Sequence, residues 1–286
     1  SKDIAKEVEK LKAEKVKGII IDIRYNGGGS LYEVVQMAGL FIDKGPIVQI
    51  RSKEGKSQIL YDESPGILYN GPLVVMVNEF SASASEIFAA AIQDYKRGLI
   101  VGSTSTYGKG TVQRNVAFGK PLDAMGIQTE YGAVKLTFQK FYRVTGSSTQ
   151  RKGVVPDIVF PDEYEFLKYR EKDNPSALPW DEMEKAKFTP WSNNNELATI
   201  ANKANTKIKN DTTTKAVSIS PVDIIGAQVL WVYNVKTRKL GKYVADSLKG
   251  PLNVKGTGII GYDEHKSVTK TLRKPEEKLK EFARAT

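Results

Sequence analysis

At 286 residues and 31.6 kDa, with 40% hydrophobic and 27% charged residues, the chain has a globular composition and ample apolar surface for a core. It has no cysteine and a single histidine, His265, which excludes disulfides, thiolate nucleophiles and cysteine-held metals and leaves a histidine-based triad or a multi-histidine metal site close to excluded. The net charge of +10 is uneven: residues 191–286 hold 17 Lys and Arg against 9 Asp and Glu, while the first 190 residues are nearly neutral.

The chain opens on an amphipathic helix over 2–15, with Ile4, Val8 and Leu11 on one face. No leader segment precedes Ser1, which is not a methionine, so the chain is expected to be a processed or excised piece of something longer. Gly18–Arg24 is a continuous apolar strand of the kind buried on both faces of a parallel sheet. Asn26-Gly27-Gly28-Gly29-Ser30 then leads into a helix through Val34, Val35, Met37, Ala38, Phe41 and Ile42. Short strands follow at Ile47–Ile50, Gln58–Tyr61 and Leu73–Val77, and the turn Ser81-Ala82-Ser83-Ala84-Ser85 opens a helix bearing Ile87, Phe88, Ala91, Ile92 and Tyr95. Leu99–Val101 is another strand, and 134–143 alternates like a strand or hairpin arm. Alternating strands and helices define a layered α/β domain on a mostly parallel sheet.

Beyond it, 163–215 is polar and partly helical, with residues 191–215 expected as a linker between a core (1–190) and a small, basic, β-rich unit (216–286). That unit comprises arms at Gln228–Val235 and Leu240–Val244 and a terminal helix started by Pro275. No apolar run reaches the ~18–20 residues of a membrane helix.

Three loop segments carry chemistry. Ser83 stands where a buried strand turns into a helix, which lifts a side chain from the carboxyl edge of the sheet and surrounds it with helix-start amides. The same residues fit a capping box, Ser83-Ala84-Ser85-Glu86, and on pattern alone capping is the stronger reading. Lys109, between Gly108 and Gly110, is either a solvated turn lysine or, if buried, a base. Asn26–Ser30 is either a tight turn or a row of amides fit for an oxyanion. The glycines around Lys109 lack phosphate-loop spacing, which argues against a nucleotide.

Four stretches in this order resemble the carboxy-terminal processing peptidases, in particular their tail-specific protease branch. They are Ile21-Asp22-Ile23-Arg24-Tyr25-Asn26-Gly27-Gly28-Gly29, Phe80-Ser81-Ala82-Ser83-Ala84-Ser85-Glu86-Ile87, Gly108-Lys109-Gly110-Thr111-Val112-Gln113, and Phe141-Tyr142-Arg143 through Ser148–Ile158. The resemblance covers about residues 1–190 and implies a ClpP/crotonase-like α/β core. It also implies a serine endopeptidase with a Ser/Lys dyad and no metal or cofactor, in a bacterial periplasm or cell envelope.

By the resemblance Ser83 is the nucleophile, Lys109 the base, and Gln113 the group that orients the lysine. The backbone amides of Ala84, Gly28 and Gly29 form the oxyanion hole, and Asp94 is a support residue whose simplest partners are Lys96 or Arg97. Substrates are expected to be proteins or peptides recognised by their C-termini. No nucleic-acid partner is expected, and any membrane association would run through other parts of the full-length protein. Two departures keep a second reading open, that of a catalytically weak binding or scaffold module. Ser103–Tyr107 is one residue longer than the usual loop, and the PDZ domain usual on the N-terminal side of such cores has no counterpart in these residues.

Overall fold

In a computed structural model, residues 1–63, 66–120, 129–162, 168–191 and 195–210 are described, together with the strand residues 229–234, 239–245 and 254–255. His265 and the expected terminal helix lie outside the described residues. The chain order is α1 (Lys2–Ala13), β1 (Ile19–Asp22), α2 (Leu31–Gly39), β2 (Gly45–Ser52), β3 (Ser57–Asp62), β4 (Leu73–Val77), α3 (Ala84–Asp94) and β5 (Leu99–Gly102). Then come β6 (Thr111–Lys120), β7 (Thr129–Tyr142), β8 (Ile158–Val159), α4 (Glu196–Asn210), β9 (Val229–Asn234), β10 (Lys239–Ala245) and β11 (Val254–Lys255).

The main sheet has the order β11-β10-β9-β1-β4-β5-β8, with β9, β1, β4, β5 and β8 mutually parallel. Its strands are apolar on both faces because both are covered. Ile19, Ile21, Leu73, Val75, Val77 and Ile100 face α1, α2 and α3 within one core. Ile20, Val74, Leu99, Val101 and Ile158 face the other way, onto Ala201 and Ala204 of α4. The expected α/β layering is therefore present. The stretch 191–215, expected as a linker, supplies the helix that closes the second face: its small alanines let α4 lie close on the sheet.

The tail departs from expectation as well. β9 and β10 pair antiparallel, as the two arms should. But β9 also pairs in parallel with β1, Ile20 opposite Val232, so the arms extend the core sheet instead of forming a sheet of their own. The physical reason lies in the edge: β1 would otherwise offer a row of unpaired backbone groups on the side away from β4, and an apolar strand such as Val-Leu-Trp-Val-Tyr satisfies it.

A second, antiparallel sheet of order β3-β2-β7-β6 stands beside the first. Its longest part is the β6–β7 ribbon, which leaves the body directly after the Lys109 loop. Residues 134–143 are its return arm. The outgoing arm, β6, was not legible as a strand, because Arg114, Asn115, Ala117 and Phe118 are all exposed and show no inside face.

Candidate active site

The site lies at the carboxyl ends of β1 and β4, where the chain passes from strand to loop to helix. Ser83 is the residue before α3 and holds φ 57°, ψ −116°, a conformation non-glycine residues rarely adopt. Such a geometry costs on the order of 1–3 kcal/mol and persists only when its surroundings dictate it. Those surroundings are visible. Ala82 N–H and Ser85 Oγ both donate to the Asn26 carbonyl oxygen, at 3.0 and 2.9 Å, and Tyr107 N–H donates to the Ser81 carbonyl at 3.0 Å. Ser81 Oγ donates to the Ile23 carbonyl at 2.8 Å, which ties the serine turn to the end of β1.

The glycine turn after β1 presses against this serine. A Cβ on Gly28 would lie 2.6 Å from the Ala82 carbonyl oxygen, 2.8 Å from Ser83 Cβ and 2.9 Å from Ala84 N, and its φ is +98°. Only glycine fits there. Its own N–H, however, is committed to Asn26 Oδ1 at 2.9 Å. Gly28 thus brings the turn close, and its expected role as an amide donor is not what this geometry provides.

Lys109 arrives on the neighbouring loop and is half-buried. Gly108 (φ +93°) packs on the Arg151 backbone, and Gly110 N–H donates to Gln150 Oε1 at 2.8 Å, so the segment Ser148–Gly153 serves as the bed of the lysine loop. Burial, and secondarily the charge of Lys135, push the Lys109 ammonium below its ordinary range, against the opposing pull of Glu171 and Glu86. A lysine so placed gives up its proton more readily.

One side chain joins the two loops. Glu86, fully buried in the first turn of α3, accepts from Ser83 N–H at 2.8 Å and Lys109 N–H at 2.9 Å on a single oxygen, Oε2. That shared atom holds the two backbone segments side by side, and the longer Ser103–Tyr107 loop does not separate them. In the sequence Glu86 stands in a capping box and in one of the four resembling stretches, with no role assigned; its second partner lies 23 residues further on. Asn26, Thr106 and Gln150 likewise had no side-chain role assigned, since their contacts are remote in sequence.

Two expected residues sit elsewhere. Gln113 is on β6, and its amide donates to Thr137 Oγ1 across the ribbon at 3.3 Å. Asp94 ends α3, about 15 Å of helix away from Ser83. Its partner is neither Lys96 nor Arg97. Arg143 donates to it through Nε at 3.0 Å, while Arg97 turns inward to the carbonyls of Phe41 and Tyr69. The correction has a simple cause: Asp94 is buried, and Arg143 from the end of β7 reaches it with a planar two-pronged group.

A parallel sheet whose helix-start turn carries a strained serine beside a half-buried lysine has the make-up of a hydrolytic α/β core. Residues 1–160, more than half of the chain, match the model of peptidase family S41, and residues 164–218 match the C-terminal domain of tail specific protease. The chain belongs to peptidase family S41, a family of serine-type peptidases. It is 44% identical over 209 residues to the tail-specific protease of Haemophilus influenzae, covering 72% of this chain and 29% of that protein. It is 37% identical over 160 residues to the carboxy-terminal-processing protease of Bartonella bacilliformis, covering 54% and 34%. Among solved structures, the photosystem II D1 C-terminal processing protease aligns at 34% identity with a TM-score of 0.47, covering 57% of this chain and 40% of that one. The chain spans about a third of the length of these relatives.

Proposed function

We propose that this chain is the catalytic core of a serine endopeptidase that works by a Ser83/Lys109 dyad. Lys109, neutral, takes the Ser83 hydroxyl proton as the oxygen attacks a peptide carbonyl, and returns it to the leaving amine. The N–H groups of Ala84, at the start of α3, and of Gly29 stabilise the oxyanion. Gln113 orients Lys109 only if the ribbon base shifts its amide away from Thr137, and Asp94 supports the site from a distance by fixing the end of α3. A cavity of about 830 Å³ opens beside the Gly27–Gly29 turn, walled by Ile23, Val34, Met37 and Phe88, with room for an apolar substrate side chain.

The observation that carries this reading is the strained Ser83 tied through one Glu86 oxygen to a lysine whose charge is disfavoured. Both features cost stability and return nothing structural, which is the signature of a working site and speaks against a mere scaffold. The relatives' names, tail-specific and carboxy-terminal-processing, support proteins presented by their C-termini as substrates, and both relatives are bacterial; an envelope setting is what the sequence resemblance implies. The test is proteolysis of an unfolded protein. Ser83→Ala should lose on the order of 10⁴-fold or more of the turnover with an unchanged circular dichroism spectrum. Wild-type turnover in that variant would remove Ser83 from the role.

A further inference from the structure

The dyad leaves one buried group of the site without a chemical task. The Glu86 carboxylate points between the serine turn and the lysine loop, and each of its oxygens accepts two hydrogen bonds. Oε1 receives Thr106 Oγ1 at 2.6 Å and Gly108 N–H at 2.7 Å; Oε2 receives Ser83 N–H at 2.8 Å and Lys109 N–H at 2.9 Å. An ionised carboxylate has about four acceptor sites, and here every one is matched by a donor. Thr106 is itself fixed, since its Oγ1 accepts from Val154 N–H at 2.7 Å while its proton goes to Glu86. On Oε2 both donors are backbone N–H groups, so a proton there must evict one of them and cuts the bridge between Ser83 and Lys109. On Oε1 a proton displaces Gly108 N–H or turns the Thr106 hydroxyl round to accept it, and the threonine then loses its own bond to Glu86.

We propose that Glu86 is a positioning residue that acts as a carboxylate, clamping the Ser83 turn to the Lys109 loop when ionised and loosening that clamp when protonated, so that activity is lost on the acid side through two protonations, at Glu86 and at Lys109. The inference rests on the dyad reading for its effect on turnover, though the clamp exists independently of it.

The surroundings make this titration reachable. Burial pushes the Glu86 carboxyl up to about 7, despite the four hydrogen bonds that favour its charge. The titratable groups facing it are Lys109 and Tyr107 from the lysine loop, with Glu171 acting on both of those; α3 offers no other acid or base before Asp94 at its far end. The sign for stability is opposite to that for activity. With its pKa raised in the folded state, Glu86 contributes stability in full below its ordinary 4.5, and that contribution is lost as pH rises through about 7.

The test reads the carboxyl directly and then the rate. In infrared difference spectra of the Ser83→Ala protein, taken between about pH 8 and about pH 5, a protonated-carboxyl band should grow in with a midpoint near 7, and it should vanish in Ser83→Ala/Glu86→Gln. Thr106→Val removes one donor and should move that midpoint up by on the order of one pH unit. In the active enzyme, log(kcat) on the acid side should fall with a slope approaching two. Glu86→Gln should reduce that slope to one and lower kcat on the order of 10²-fold with little change in KM. Wild-type slope in Glu86→Gln, or a midpoint that Thr106→Val leaves in place, would overturn the clamp. A band that behaves as described in a chain without proteolysis would uphold the clamp and sink the dyad alone.

Discussion

Helix α3 buries an acid at each end, and the two are treated in opposite ways. Asp94 in the last turn, where the helix dipole disfavours a negative charge, receives the Arg143 guanidinium, with Gln93 bonded to the same group at 2.8 Å. Glu86 in the first turn has the favourable end of the dipole but only neutral donors. Burial raises the pKa of both, opposed at Asp94 by an ion pair and at Glu86 by hydrogen bonds alone. The end that bears an ion pair holds the helix to the second sheet; the end that lacks one sits beside a strained serine. Ion pairing at one end and neutral donors alone at the other is the contrast on which the proposed clamp rests.

The comparison breaks most visibly at Lys109. Lys109→Arg should be as damaging as Lys109→Ala, each lowering turnover by on the order of 10³-fold, because guanidinium does not deprotonate near neutral pH. The Lys109 N–H to Glu86 survives either change, so melting temperature should hold. Wild-type activity should rise with pH as the lysine, its pKa depressed by burial and by Lys135, loses its proton. Measured kcat in Lys109→Arg within threefold of wild type would show that the base is another group.

At the other end the expected effect is on stability. Asp94→Asn leaves the largely buried Arg143 guanidinium without its paired carboxylate, keeping only the bond to Gln93, and should cost about 3 kcal/mol in denaturant unfolding, while kcat per folded molecule stays near wild type. A rate loss out of proportion to the unfolded fraction would make Asp94 a working member of the site and dissolve the contrast between the two ends.

Much of this fold was legible because the sheet is buried on both faces: Ile19–Ile21 and Leu73–Val77 are apolar runs that water could not line. What escaped was whatever depends on neighbours distant in sequence. β6 shows no inside face because its ribbon is exposed on both sides, and α4 looks like a linker because its fully buried residues are the small Ala201 and Ala204, with Leu197, Ile200 and Ile208 only partly covered. The tail strands were visible as strands, but their attachment to β1 was not, since strand pairing over two hundred residues leaves no local trace. Among the expected site residues, Ser83, Lys109 and the glycine turn were singled out by position, but on pattern alone they fit a cap and two tight turns as well, and the resemblance supplied their roles. Glu86 was masked by its fit to a capping box, and Asp94 was visible while Arg143, 49 residues on, was not.

The smallest expected effect concerns Gln113, and it separates the resemblance from the geometry. In the relatives' pattern the residue four beyond the lysine orients it; in this structure the Gln113 amide donates to Thr137 across the β6–β7 ribbon at 3.3 Å, a long bond near the surface. An exposed bond of that length belongs at the low end of the range for intramolecular hydrogen bonds, about 0.5 kcal/mol. Gln113→Ala should therefore change kcat less than about threefold, an energy well under the ~1.4 kcal/mol that a tenfold change requires. Thr137→Val, which removes the same bond from the other side, should match it. If Gln113→Ala instead lost tenfold or more while Thr137→Val did not, the glutamine would act on Lys109 and not on the ribbon. The base of β6 would then have to move toward the lysine during the reaction, a change that hydrogen exchange at Val112–Arg114 in the presence of a peptide inhibitor would register.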